Sequence, residues 1–254
     1  MRRSPSEVGF TLIEMLVSIS LVAILGGLTT SLLLTTQNTA KAGKQEQDTN
    51  EEARLALNRM ARELRQATSL MAVRNADGSG YSATDLTAVT FTADFNNDGC
   101  ISDGGAGAAG ACSPQQPLSA TDPEILTYCY QPVFKSDGSL DASKSQVYLR
   151  AGTLPSTATT CASGASVVPL LAGNVTLFKL TYRSNLYLYD TNPADGVTSW
   201  EELDQAGPPV GNADGQLDNP DLANIDSVLI DMSLLEGQHK QDYETQVDLR
   251  NLSR

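Results

Sequence analysis

The sequence predicts an α+β protein: a long N-terminal transmembrane and spine α-helix packed on a C-terminal antiparallel β-sheet head. Three observations carry that prediction. From Phe10 to Leu34 the chain is apolar apart from hydroxyl and glycine positions, and its one ionisable side chain is Glu14. Farther on, Ala53, Ala56, Leu57, Met60, Ala61, Leu64 and Ala67 recur at steps of three and four, which draws a stripe down one helix face. Beyond Asn75 the pattern changes to short alternating runs broken by Gly, Asp, Asn and Pro, the mark of antiparallel strands with long loops.

The first stretch, about 25 residues at roughly 1.5 Å rise, is long enough to cross a bilayer as a helix. An acidic side chain at membrane depth costs several kcal/mol unless it is paired, so Glu14 calls for a partner or for a place in the headgroup region, where it snorkels. Arg2 and Arg3 precede the apolar run and, by the bias of basic flanks toward the cytoplasm, put the N-terminus inside. Lys41 and Lys44 lie on the far side. The short basic leader ends at Gly9, ahead of the apolar run, whereas a secretory signal is cut behind it.

The string GFTLIEMLVSISLVAIL, Gly9 to Leu25, resembles the class III leader and N-terminus of type IV prepilins and of type II secretion pseudopilins. The resemblance implies that a membrane-embedded prepilin peptidase and N-methyltransferase cuts between Gly9 and Phe10 and methylates the new Phe10 amine. It also implies a type IV pilin fold, residence as a single-pass protein of the bacterial inner membrane, and later incorporation into a pilus or pseudopilus in the periplasm or at the cell surface. Glu14 would then neutralise the terminal amine of a neighbouring subunit, because a buried carboxylate is tolerated when paired with an ammonium.

The expected organisation is a leader at 1–9, a membrane or filament-core helix at 10–34, an amphipathic spine at 35–71 and a head at 72–254. In the spine, Asp48, Glu51 and Glu52 precede Arg54, Arg59, Arg62 and Arg65, an order that suits pairing between successive turns and the helix dipole. Gly26 and Gly27 interrupt good helix formers within the membrane half; small residues for close helix packing account for them as well as any local melting does.

In the head the expected strands are 88–93, 124–131, 146–150, 174–183, 227–235 and 243–249. Within the fourth, Val175, Leu177 and Leu180 are expected on one side and Phe178 and Tyr182 on the other. A hydrophobic fraction of 41% with plentiful Gly, Ser, Thr, Asn and Asp suits a loop-rich extracytoplasmic domain, and a net charge of −13 argues against a generally basic nucleic-acid surface. Cys100, Cys112, Cys129 and Cys161 fit an oxidising compartment. Three pairings are conceivable; the first choice is Cys100 with Cys112, bracketing ISDGGAGAAGA, which leaves Cys129 with Cys161. The segments EARLALNRMARELRQA, LLAGNVTLFKLTYRSN and IDSVLIDMSLLEG, with the closing TQVDLRNL, resemble in their order PilW-like minor pilins and the J-type minor pseudopilin.

Three acidic loops have the alternating oxygen donors that wrap a hard cation, which makes calcium the one cofactor to test. The first is Asp94, Asn96 and Asp98 with Asp103 standing in for the missing bidentate Glu; the second is Asp190, Asn192 and Asp195 with Glu202; the third is Asn212, Asp214, Asp218 and Asp221. Solvated turn chemistry explains the same residues. No phosphate-binding loop, paired-His zinc motif or nucleophile elbow is present, so no enzyme is expected. His239 reads as a solvated turn residue and Trp200 as a core or interface aromatic. The expected function is therefore that of a minor pilin that primes assembly or supports adhesion, motility or DNA uptake, with other pilin or pseudopilin subunits as partners. A type II secretion pseudopilin and a membrane-tethered calcium-dependent adhesin or hydrolase are the alternatives.

Overall fold

A computed structural model describes residues 11–71, 87–95, 124–152, 167–217, 219–236 and 239–249. The chain divides into two compact units, Met1–Glu51 and Glu52–Arg254. Helix α1, Leu12–Arg65, runs from the first into the second.

Within the first unit the helix passes through Gly26 and Gly27 without a break, and a Cβ added at either meets nothing within 4 Å. An 18-residue window of it is apolar enough to cross a membrane, and none of that window is buried.

Within the second unit α1 buries Ala53, Ala56, Leu57, Met60, Ala61 and Leu64, the expected stripe. It stops at Arg65, short of the expected Met71. Backbone bonds from Gln66 to Glu63 and from Ala67 to Leu64 tighten the last turn, and the Thr68 amide then bonds the Thr92 carbonyl at 2.8 Å. Hydroxyls of Thr68 and Ser69 meet Thr92 Oγ1 at 3.0 and 2.6 Å. These partners lie in another strand, so Ser69–Met71 becomes β1 instead of more helix.

The first sheet is an antiparallel meander in the order β1-β2-β3-β4-β5, with β2 Ala88–Thr92, β3 Ile125–Gln131, β4 Gln146–Ala151 and β5 Val167–Leu171. Cross-strand register puts Leu70, Phe91 and Leu126 in one row and Val89, Tyr128 and Leu149 in the next, on the face that joins the core with the helix stripe. The other face carries Thr90, Thr127, Ala88 and Cys129, all buried, with the Thr90 and Thr127 hydroxyls 2.8 Å apart. β5 is not among the expected strands, since Pro169 interrupts its apolar run; it is the last strand of the sheet among the described residues, a position that tolerates proline.

The second sheet has the order β7-β6-β8-β9, with β6 Val175–Ser184, β7 Thr198–Ser199, β8 Ser227–Glu236 and β9 His239–Asp248. A register shift between Val175 and Leu177 corrects the expected facing of β6: Val175, Phe178, Leu180 and Tyr182 all turn inward, opposite Leu234, Met232, Ile230 and Val228. Outward rows pair Lys179 with Asp231 and Asp231 with Glu244. β9 begins four residues before the expected start, since pairing with β8 recruits the polar His239–Asp242; His239 is exposed and closes the hairpin opposite Glu236. Tyr130 donates to the Val175 carbonyl at 3.2 Å and Tyr182 to that of Ala88 at 3.3 Å, so two buried phenols tie the sheets together.

Between β7 and β8 lie two short helices, α2 Trp200–Gln205 and α3 Asn219–Leu222. Trp200 is buried, as expected of a core aromatic.

Candidate functional site at the N-terminal helix

The start of α1 is organised by a four-residue device. The Thr11 hydroxyl accepts from the Glu14 amide at 3.3 Å, while Glu14 Oε2 accepts from the Thr11 amide at 3.2 Å and from the Thr11 hydroxyl at 3.0 Å. This is a capping box, in which two of the donors orphaned at a helix start are satisfied reciprocally. Threonine followed three residues later by glutamate was the sequence signal for it, so Glu14 has a partner within its own chain. Both bonds fall on Oε2, and the side chain is exposed. Gly9 and Phe10, the expected processing pair, lie outside the described residues.

Behind Glu14 the helix surface is continuously apolar: Leu12, Ile13, Leu16, Val22, Leu28 and Leu32 are each exposed by 60% or more. The hydroxyls interspersed among them bond back to their own helix, Ser20 to the Leu16 carbonyl at 2.8 Å, Thr30 to Gly26 at 2.8 Å and Thr36 to Leu32 at 2.9 Å. A surface built this way presents few unmet polar groups to an apolar environment, which is what lipid or a bundle of like helices requires.

In the second unit α1 is fastened by a buried polar contact that sequence reasoning did not anticipate. Glu63 lies on the inward side, accepting from Arg59 Nε at 2.9 Å on Oε1 and from the Tyr128 hydroxyl on Oε2. Burial, with the Glu63 carboxylate adding to it, holds the Tyr128 phenol far above its ordinary value, and the hydrogen bond to Glu63 raises the Arg59 guanidinium. Only the register of β3 against the helix brings these three together.

The expected cation loops have other internal partners. Glu202 is the N3 residue of a capping box on α2, with Ser199 as N-cap; Oε2 accepts from the Ser199 amide at 2.9 Å and Oε1 from the Thr191 amide at 2.9 Å and the Thr191 hydroxyl. These donors, the Thr191 hydroxyl foremost, pull the Glu202 carboxyl below its usual range. Asp190 Oδ1 accepts from the Asn192 amide, and Asp195 from Asn192 Nδ2 and the Val197 amide. In the third loop the amides of Asp214 and Gly215 converge on the carboxylate of Asp204, at 3.2 and 2.9 Å, while that of Ala213 meets the Asp204 carbonyl at 2.9 Å. Asn212 and Asp214 bond each other, Asp221 is buried, and Asp218 lies outside the described residues. Inward N–H groups make a nest for an anion, here the buried Asp204, which is the polarity opposite to a cation site. Of the first loop only Asp94 is described; Asn96, Asp98 and Asp103 are not. Among the described residues, no group of three or more His, Cys, Asp or Glu is placed to hold a metal ion.

Cys129 is disulfide-bonded and fully buried. Cys100, Cys112 and Cys161 lie outside the described residues, and so does the expected pairing.

These features define a protein with one N-terminal helix able to span a membrane and an α+β arrangement of antiparallel sheets. No protein-family model, curated protein or solved structure matches the chain.

Proposed function

We propose that the chain is a minor type IV pilin, a non-enzymatic subunit that is processed at Gly9 and Phe10 and enters a filament through its N-terminal helix. The observation that carries the reading is the exposed apolar helix with a single carboxylate, Glu14, held at its first turn by Thr11. A capped and oriented carboxylate at the mouth of an apolar helix suits docking of a neighbour's terminal ammonium, because Oε2 serves the helix start and Oε1 is left to accept. Within the second unit the Ala53 to Leu64 stripe of α1 is seated in a β head and pinned by Glu63 and Tyr128, which gives such a subunit a fixed anchorage for the end of its helix.

The test is mass spectrometry of the native N-terminus together with filament shearing. Cleavage after Gly9 and one methyl group on Phe10 are expected. Glu14→Ala should be processed and inserted normally yet be missing from the sheared filament fraction, and its normal presence there would rule the role out.

A further inference from the structure

The head carries two charged surfaces of opposite sign, each with an exposed apolar residue among its charges. One is the outward side of α1 in the second unit, where Arg54, Arg62 and Arg65 are exposed and form no ion pair among the described residues. Leu55, amid these arginines, is 62% exposed. The other lies in the segment from Ser184 to His239, which contains no lysine or arginine; of its carboxylates Asp195 is exposed, Asp190 and Glu201 are partly exposed, and Asp204 and Asp221 are buried. In a chain of net charge −13 these three arginines are gathered on one exposed stretch of helix.

The acidic segment also holds a stiff protrusion. Tyr187–Tyr189 forms a 3-10 turn in which Tyr187 is 64% and Leu188 87% exposed. Its base is locked from several sides: Asp226 Oδ2 accepts from the Asn185 amide at 2.9 Å, Ser184 Oγ accepts from the Leu186 amide at 3.2 Å, and Thr198 donates to the Leu186 carbonyl at 3.1 Å. Glu202 grips Thr191, two residues beyond the turn. An apolar tip on a preorganised base loses little conformational freedom on binding, which is what an interface anchor needs.

We infer that the arginine face of α1 in one copy receives the Tyr187–Leu188 turn of a second copy, with Leu55 against the apolar tip and the arginines against the surrounding carboxylates. The argument for a second copy is charge complementarity: the cationic face is matched in sign by the acid-only segment of the same chain, and in apolar character by its tip. Two different patches in contact make a heterologous interface, which extends by repetition instead of closing into a dimer. The inference deepens the filament reading and rests on it for its biological setting.

The experiment uses the full-length chain in detergent, with two tagged forms mixed. One carries a photoreactive phenylalanine analogue in place of Leu188 and the other is the acceptor. Irradiation should give adducts joining the two tags, mapped to residues 54–66 of the acceptor. Their yield should fall about tenfold when the acceptor carries Arg62→Glu and Arg65→Glu, and fall with added salt. Both arginines are exposed, so an unchanged circular dichroism melt checks that the acceptor folds. Absent adducts, adducts confined to one chain or mapping elsewhere, or a yield indifferent to the reversals would overturn the contact. Filament shearing separates the two ideas: a chain found in filaments without this adduct sinks the contact alone, and an adduct from a chain missing in filaments sinks the filament reading alone.

Discussion

Tyr128 donates its hydroxyl to Glu63 Oε2, across a sequence separation of 65, and so pins the last turns of α1 to the third strand of the first sheet. Arg59 completes the arrangement from the solvent side. Tyr128→Phe removes one donor and leaves a mostly buried carboxylate with a single partner, so a loss of about 1–3 kcal/mol is expected. Urea denaturation of the variant checks it, and an unchanged midpoint would mean that water replaces the phenol.

The same contact sets an alkaline limit. Tyr128 keeps its proton in the folded chain well beyond the ordinary value of 10.0, whereas the unfolded phenol ionises near it. Its contribution to stability is therefore fully present below about pH 10 and falls as the pH rises above that, because only the unfolded state releases the proton. An ultraviolet tyrosinate titration should leave Tyr128 silent until the chain unfolds; ionisation of every tyrosine near 10 while the fold persists would contradict the geometry.

At the acid end the capping box of α2 contributes. Glu202 ionises more readily in the folded state than its ordinary 4.5, since the Thr191 hydroxyl and the amides of Ser199 and Thr191 favour the carboxylate. The stability it adds is present above about pH 4.5 and lost as the pH falls through the lower folded value. Ser199→Ala should cost about 1 kcal/mol by removing the cap, and Glu202→Gln should flatten the acid limb of a melting temperature against pH profile.

Two glycines should respond differently to alanine. At Gly211 an added Cβ would sit 2.2 Å from the Leu203 carbonyl oxygen and 2.5 Å from Asp204 Cα, both backbone atoms of α2, so Gly211→Ala should cost about 3 kcal/mol or prevent folding. At Gly215 the space is open and only the positive φ of 73° resists, so Gly215→Ala should cost about 1–2 kcal/mol. Thermal melts of the pair check the ranking.

Calcium is proposed for at least one of the three acidic loops, that of Asp94, Asn96, Asp98 and Asp103, that of Asp190, Asn192, Asp195 and Glu202, or that of Asn212, Asp214, Asp218 and Asp221. Added calcium should raise the melting temperature and a chelator should lower it again. Superimposable curves in the two conditions would remove the proposal.

The sequence by itself determined what rests on local pattern. The apolar run that makes a membrane-length helix, the Ala53 to Leu64 stripe, and the strands at Ala88, Ile125, Gln146, Val175 and Ser227 follow from side-chain periodicity along a few residues, and their observed bounds lie within a residue or two of expectation. Two capping boxes, Thr11 with Glu14 and Ser199 with Glu202, are equally local, but from the sequence Glu14 reads as an assembly carboxylate and Glu202 as part of a cation loop, because the same residue types serve those roles. Only the tertiary structure decided the rest. Thr68 and Ser69 leave the helix because Thr92 receives them; β5 forms despite Pro169 because it is the last strand of the described sheet; Asp204 is held by amides ten and eleven residues away; and Glu63 meets Tyr128 through the packing of a helix on a sheet. Each of these depends on hydrogen-bond partners distant in the chain, and no periodicity records which distant partner a buried polar group will find.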